Sequence, residues 1–123
     1  MKLAREVKVK AAVHITGDAY LKFNNLANYS PGVGFEFNNF KPHPIFGLIQ
    51  KTAAELGFII TDEEMFKTFN MGWGFGIVVN KADTEKALSI LNQAGVSPEI
   101  IGKITNKQKV VEIDYKNKHM VFR

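Results

Sequence analysis

Two stretches of the sequence decide the fold that it predicts: His14-Ile15-Thr16-Gly17-Asp18 and EMFKTFNMGWGFG over residues 64–76. The first stretch predicts a strand that ends at a glycine and is followed by a helix. Such a junction presents backbone N–H groups at a helix N-terminus, which is a common anion-binding arrangement. The second predicts a short helix, an Asn-Met-Gly turn and a strand with alternating glycines, a pattern typical of close backbone approach or of a ligand wall.

Strands are predicted on both sides of these stretches. Polarity alternates with a period of two from Val7 to Thr16, which predicts a half-buried strand. Residues 72–79 are apolar almost throughout and predict a central strand that is buried on both faces. Further strands are predicted over residues 33–38, 99–104, 110–115 and 118–122, the last two forming a hairpin through Lys116 and Asn117.

Helices are predicted between the strands from their caps and apolar stripes. Asp18 and Asp83 are each placed to cap a helix, and Thr61 with Glu64 matches a capping box. Between them, a helix is predicted to begin at Pro44 and to end at a left-handed Gly57. The apolar stripe of that helix comprises Ile45, Leu48, Ile49, Ala53 and Leu56.

This order of elements predicts an α+β fold in a single domain over residues 1–123. We expect a layered α/β/α domain with a mixed, largely antiparallel sheet. The strand-helix-strand unit over residues 72–104 resembles half of a ferredoxin-like motif.

Composition excludes several classes of function. The chain of 123 residues contains no cysteine, which excludes disulfides, thiolate catalysis and cysteine-based metal sites. Three scattered histidines predict no metal site, and the sequence has neither a Walker-type loop nor a dinucleotide fingerprint. The net charge of +4 comes from scattered lysines with only two arginines, so no nucleic-acid partner is expected.

The sequence also predicts where the protein works. No apolar run approaches the roughly 20 residues of a membrane span, and the first residues lack the apolar core of a secretory signal. We therefore expect a cytoplasmic protein that does not enter membranes.

Several motifs, in this order and at this spacing, resemble one family. They are His14-Ile15-Thr16-Gly17, Pro44-Ile45-Phe46, Glu64-Met65 with Thr68-Phe69-Asn70-Met71-Gly72 and Gly74, and Ile101-Gly102-Lys103. Together they resemble the C-terminal domain of phosphoribosylformylglycinamidine cyclo-ligase, also called aminoimidazole ribonucleotide synthetase, in its archaeal form.

The resemblance implies a reaction of purine biosynthesis. ATP activates the formyl oxygen of formylglycinamidine ribonucleotide, the amidine nitrogen closes the imidazole ring, and ADP and phosphate leave. ATP and Mg²⁺ are implied to bind mainly to an N-terminal domain that is not part of this sequence. The implied partners are therefore the ribonucleotide and an N-terminal cyclo-ligase domain or partner chain, and a homo-oligomer is a further possibility.

The resemblance implies substrate-binding residues but assigns no catalytic residue. The implied set comprises His14, Thr16, Gly17, Asp18, Ala19, Thr68, Asn70, Gly72 and Gly74. Many family members carry a run of glycines where this chain has Gly17-Asp18-Ala19, so the anion contacts here differ from the family pattern. Three of these residues also have an ordinary structural interpretation. His14 would be a hydrogen-bonded histidine of a strand, Asp18 a helix cap and Asn70 a turn residue.

Two functions follow as alternatives. The chain is the substrate-binding part or split subunit of a cyclo-ligase, inactive alone. Alternatively, it is a non-catalytic module of the same fold that binds a phosphorylated metabolite or associates with itself.

Overall fold

The computed structural model describes residues 2–39 and 41–123. Its α-helices are α1 (Lys2–Glu6), α2 (Pro44–Glu55), α3 (Asp62–Thr68) and α4 (Thr84–Gln93). Its strands are β1 (Val9–His14), β2 (Gly34–Phe37), β3 (Phe75–Val79), β4 (Gly102–Thr105), β5 (Val111–Tyr115) and β6 (Lys118–Phe122). Two 3₁₀ helices cover Ala19–Asn28 and Lys81–Asp83.

The chain forms two compact units, each with its own core. The first unit contains the chain up to His14 together with Phe75–Ile100, and the second contains Ile15–Gly74 together with Ile101–Arg123. The helices and the mixed, largely antiparallel pairing of the strands confirm the predicted α+β class.

The first unit is built on an antiparallel pair of strands, β1 and β3, in which His14 lies opposite Phe75. Helix α1, which the sequence analysis did not predict, packs on α4. Their buried side chains form one cluster: Leu3, Val7, Ala87 and Ile90. The cap predicted for α4 is wrong, because Asp83 makes no side-chain hydrogen bond to the helix.

Strand β3 is not the buried central strand that its apolar sequence predicts. It lies in a two-stranded sheet with β1, Phe75 is exposed, and the next four residues are half-buried. Strands β3 and β4 lie in different sheets, so the predicted strand-helix-strand unit does not close within one sheet. A short apolar run indicates burial but does not identify the strands that will flank it.

The second unit contains a four-stranded sheet with the order β4-β2-β5-β6. Strands β2 and β5 are parallel, whereas the other two pairs are antiparallel. The predicted hairpin between β5 and β6 is confirmed. Its turn residues Lys116 and Asn117 have φ values of 49° and 62°, the positive pair that a two-residue type I′ turn requires.

The core of the second unit is aromatic. Phe37 of β2 lies 4.9 Å from Phe23 and 5.2 Å from Tyr20, measured between ring centroids. Tyr20 and Phe23 belong to the long 3₁₀ helix, where a spacing of three residues places side chains directly above one another. The sequence predicts a helix here, and its apolar spacing also fits the tighter 3₁₀ form.

The capping box predicted for α3 and the glycine predicted to end α2 are both confirmed. The capping box of α3 is complete: the side chain of Thr61 accepts from the N–H of Glu64, and the Glu64 carboxylate accepts from the N–H of Thr61. Gly57 ends α2 with a φ of 90°. The stripe predicted for α2 is not a core face, because Ile45, Leu48 and Leu56 are exposed.

Candidate functional site

The two stretches that decide the fold meet in the second unit. The N–H of Ile15 donates to the carbonyl oxygen of Gly74 at 2.9 Å. The side-chain amide of Asn70 lies 3.5 Å from the carbonyl oxygen of Ile15. The residues just before the first loop are therefore fixed to the residues just before β3.

The loop from Thr16 to Ala19 turns sharply through left-handed backbone. Asp18 and Ala19 have φ values of 65° and 44°, which L-residues other than Asn, Asp and Gly rarely adopt. The turn is closed by the N–H of Ala19, which donates to the carbonyl oxygen of Thr16 at 2.9 Å. Backbone strain of this kind persists where the surrounding structure enforces it, and it is frequent at binding sites.

The structure corrects two expectations about this loop. Asp18 makes no side-chain hydrogen bond to the helix that follows, so the predicted cap is wrong. The helix N-terminus is also not a set of free donors, because the N–H groups of Ala19 and Leu21 already donate to the carbonyl oxygens of Thr16 and Asp18. Asp18 has left-handed backbone, whereas a residue that caps a helix N-terminus typically has extended backbone.

Lys22 is a cation that the structure places on this loop and that the sequence did not predict there. Its ammonium group donates to the hydroxyl oxygen of Thr16 at 2.7 Å, and its side chain is half-buried. No local sequence signal predicts this contact, because Thr16 precedes the helix that carries Lys22.

Asn70 holds the turn of the second stretch. Its side-chain oxygen accepts from the N–H of Gly72 at 2.9 Å. Its carbonyl oxygen accepts from the hydroxyl of Tyr20 at 2.6 Å and from the N–H of Trp73 at 3.1 Å. Burial raises the pKa of Tyr20, so its hydroxyl stays protonated and remains a donor. The contacts of Asn70 are therefore those of a residue that holds a turn, which is the structural role considered for it from the sequence.

The predicted glycines differ in what surrounds them. Gly72 has a φ of 113°, and a Cβ there would lie 2.9 Å from Cδ2 of His43, so the turn requires glycine. At Gly17 and Gly74 no described atom lies within 4 Å of an added Cβ. The sequence predicts a close backbone neighbour along the glycine strand, and none of the described atoms is such a neighbour at Gly74.

The remaining two predicted residues belong to other elements of the fold. Thr68 is the last residue of α3 and is exposed. His14 is the last residue of β1 in the first unit, where its ring centroid lies 6.3 Å from that of Phe75. The structure thus places Thr16, Gly17, Asp18, Ala19, Asn70, Gly72 and Gly74 in the second unit with Thr68, and His14 in the first.

A charged cluster at the β5–β6 hairpin contains two groups with a shifted pKa, Glu112 and His119. Lys107 donates to the buried Glu112 carboxylate at 2.7 Å and, with a further contribution from His119, holds the pKa of that group below its usual value. His119 lies 2.5 Å from Asp114 and 3.3 Å from Glu112, and these hydrogen bonds raise the pKa of the imidazole. The sequence analysis assigned His119 no role.

The described residues contain neither a cluster of metal ligands nor a membrane-spanning helix. Across residues 2–39 and 41–123, no group of three or more His, Asp or Glu side chains could hold a metal ion. Over that same part of the chain, no helix is both long enough and apolar enough to cross a membrane.

Comparison with known proteins gives a consistent match. The family described as AIR synthase related protein, C-terminal domain, matches residues 1–114. The phosphoribosylformylglycinamidine cyclo-ligase of Methanococcus maripaludis strain C5 is 35% identical over 130 residues, covering 98% of this chain and 35% of the relative.

Enzymes with the same name in other organisms are similarly related. The Caldicellulosiruptor saccharolyticus protein is 39% identical over 108 residues, covering 85% of this chain and 29% of the relative. The Pyrococcus furiosus protein is 36% identical over 115 residues, covering 94% of this chain and 31% of the relative. The chain thus spans about a third of the length of these relatives. On the match over residues 1–114, the chain belongs to the family described as AIR synthase related protein, C-terminal domain.

Proposed function

We propose that this chain binds the ribonucleotide substrate of a phosphoribosylformylglycinamidine cyclo-ligase and positions it for ATP-dependent ring closure. The observation that carries the proposal is the loop from Thr16 to Ala19, where the Lys22 ammonium lies 2.7 Å from the Thr16 hydroxyl. A flexible ammonium beside a hydroxyl and a tight backbone turn is a suitable arrangement for a phosphate monoester. The family membership supplies the substrate class.

The role of each loop residue follows from its chemistry. Lys22 would neutralise the 5′-phosphate, and Thr16 would donate its hydroxyl hydrogen to a phosphate oxygen while accepting from Lys22. Gly17, with open space where a side chain would be, lets a ligand approach the backbone. Asp18 is exposed and negatively charged, so its carboxylate must point away from the phosphate or weaken its binding.

The second stretch acts by positioning. Asn70 fixes the carbonyl of Ile15 and the turn at Gly72, and Tyr20 joins the helix that follows the loop to the same turn. These contacts keep Thr16 and Lys22 in one geometry, which reduces the entropy lost when a substrate binds. We assign no proton-transfer residue.

Among the described residues, no group of three or more acidic or histidine side chains could hold a metal ion through protein ligands alone. We propose that ATP and Mg²⁺, which the cyclo-ligase resemblance implies, bind mainly to the rest of the enzyme, whether in the same chain or in a partner, and we derive no step through them. The chain alone is expected to have no ring-closing activity.

A second candidate is the non-catalytic module that senses a phosphorylated metabolite or self-associates. It is favoured by the exposed apolar side chains of α2, among them Leu48, which a second copy could cover. The two candidates differ in ligand preference: only the first requires the formylglycinamidine group to contribute to binding beyond the phosphate.

Calorimetric titration with formylglycinamidine ribonucleotide tests the proposal. We expect the ribonucleotide to bind and the riboside that lacks the phosphate to bind at least about tenfold more weakly, as for the loss of a charge-assisted hydrogen bond. Lys22→Met should weaken binding of the ribonucleotide by a similar factor, whereas Lys51→Met, at an exposed site on α2, should not. Equal binding of ribonucleotide and riboside, or equal effects of both variants, would overturn the assignment of the loop.

A further inference from the structure

An apolar surface on the second unit is left uncovered by the described chain. We call it the α2 surface and define it by Ile45, Leu48, Leu56, Phe58 and Ile59. The exposed fractions are 56% for Leu48, 71% for Leu56 and 78% for Ile59. Isolated apolar residues are normal on a protein surface, but five large ones on one helix and the segment that follows it form a patch of the kind that marks an interaction site.

The geometry of α2 explains why these side chains lie together. Ile45 and Leu48 are three residues apart, and Leu56 lies about three turns after Ile45, so all three share one side of the helix. The chain then folds back, because the N–H of Phe58 donates to the carbonyl oxygen of Ala53 at 2.8 Å. Phe58 and Ile59, which are also exposed, lie in the segment that follows the helix.

The opposite side of α2 is what attaches it to its own unit. Phe46 packs against Phe69 with ring centroids 5.8 Å apart. Gln50 donates to the carbonyl oxygen of Ile60 at 3.1 Å and to the carboxylate of Asp62 at 3.0 Å. The exposed apolar side is therefore not needed to hold the helix in place, although none of the described side chains of α2 is buried.

The coverage of the relatives supplies a candidate occupant for this surface. The chain spans about a third of the length of the cyclo-ligases that it matches, so those relatives carry about twice as much chain outside the matched region. The unit that carries the α2 surface also carries the loop proposed to bind the substrate. Because we propose that ATP and Mg²⁺ bind mainly to the rest of the enzyme, the loop would act on its substrate only with that part of the enzyme beside it.

We propose that the α2 surface is the docking face for the part of the cyclo-ligase fold that lies outside this chain. The proposal rests on the proposed function, since it takes that remaining part as the occupant. The occupant is expected to present an apolar face, because lysine or glutamate placed against Leu48 or Leu56 would lose hydration without a partner. Lys51 and Glu55, one of each sign on the same helix, favour neither an acidic nor a basic occupant.

The same substitution in two contexts tests the proposal. Leu48→Lys is made in this chain alone and in a chimera in which the chain replaces the matching region of the Methanococcus maripaludis cyclo-ligase. We expect the melting temperature of the chain alone to be unchanged and that of the chimera to fall by about 3 °C or more. Ala54→Lys, at an exposed position of α2 outside the surface, is the charge-matched control and should be neutral in both.

Each other outcome overturns the proposal. Loss of stability in the chain alone would mean that the surface is covered within the chain. No loss in either context would mean that it faces solvent in the enzyme, and a homodimer of the chain that Leu48→Lys dissociates would make a second copy the occupant. If the chimera does not fold, lysine at the position aligned with Leu48 in the intact relative gives the same readout. None of these results depends on ribonucleotide binding, so they are separate from a failure of the phosphate assignment.

Discussion

The hydroxyl of Tyr20 donates to the main-chain oxygen of Asn70 across 2.6 Å and 50 residues of sequence. Tyr20 is fully buried and opens the helix that follows the candidate phosphate loop. Asn70 shapes the turn that precedes β3. This bond connects the two stretches of sequence that carry the family resemblance, and it makes the geometry of the loop dependent on the turn.

Removing the hydroxyl of Tyr20 should lower the stability of the fold and loosen the connection between the loop and the turn. Tyr20→Phe deletes one hydrogen bond but leaves the carbonyl of Asn70 with its second donor, the N–H of Trp73. We expect the free energy of unfolding to fall by roughly 1 kcal/mol, measured by urea denaturation. Tyr29→Phe, at a side chain that is 88% exposed, is the control. Equal stabilities of the two variants would contradict the role given to the bond.

The carboxylate of Asp18 should oppose phosphate binding. Asp18→Asn keeps a residue that tolerates the left-handed backbone and removes the negative charge. We expect the affinity for formylglycinamidine ribonucleotide to rise about three- to fivefold, corresponding to about 1 kcal/mol between charges in solvent. Stability should change by less than about 0.5 kcal/mol. A variant that no longer binds the ribonucleotide would show instead that the carboxylate is a ligand-binding group.

The glycines that the backbone requires differ in part from those that the sequence motifs suggest. A Cβ at Gly102 would collide with the carbonyl oxygen of Glu36 on the neighbouring strand, whereas the same position at Gly74 is open. Gly102→Ala should therefore lower the free energy of unfolding by more than about 2 kcal/mol, because backbone must shift to relieve the overlap. Gly74→Ala should change it by less than about 1 kcal/mol, and the reverse order in chemical denaturation would refute this account.

The charged hairpin predicts how stability depends on pH. Hydrogen bonds to Asp114 and Glu112 raise the pKa of His119 above its ordinary value of 6.5. Its contribution is therefore fully present below pH 6.5 and is lost as the pH rises through the raised folded-state pKa. Glu112, whose pKa is lowered by Lys107 and His119, stays ionised over this range and contributes no slope there.

We would measure the midpoints of urea unfolding for the unmodified chain (the parent) and for the His119→Gln variant, at about pH 6 and about pH 9. The parent should lose more stability than the variant between these two values. A parallel decline of both proteins would mean that His119 does not cause the alkaline loss. His119 itself is half exposed, so the difference is expected to be small.

Sequence predicted the features that a few neighbouring residues encode. The capping box of Thr61 and Glu64, the left-handed Gly57 and the turn at Lys116 and Asn117 are confirmed, because each depends on contacts or φ values within about four residues. The α+β class followed from the order of these elements.

Features that depend on distant partners were not predictable in the same way. The apolar run at β3 indicated a central strand, but its pairing with β1 alone among the described strands is a matter of tertiary contacts. The need for glycine at Gly102 arises from Glu36 on β2. Lys22 reaches Thr16 from within the 3₁₀ helix that follows the loop, whereas a lysine in a helical pattern is ordinarily interpreted as a surface residue.

The most direct measurement of the central claim is an amide ¹H–¹⁵N titration of this chain with formylglycinamidine ribonucleotide. The account predicts that the amide resonances of Gly17, Asp18 and Ala19 move with the ribonucleotide, that the riboside without its phosphate leaves them in place, and that Lys22→Met suppresses the change. Resonances that move only elsewhere in the chain, or that move equally with the riboside, would contradict the assignment of this loop as the phosphate site.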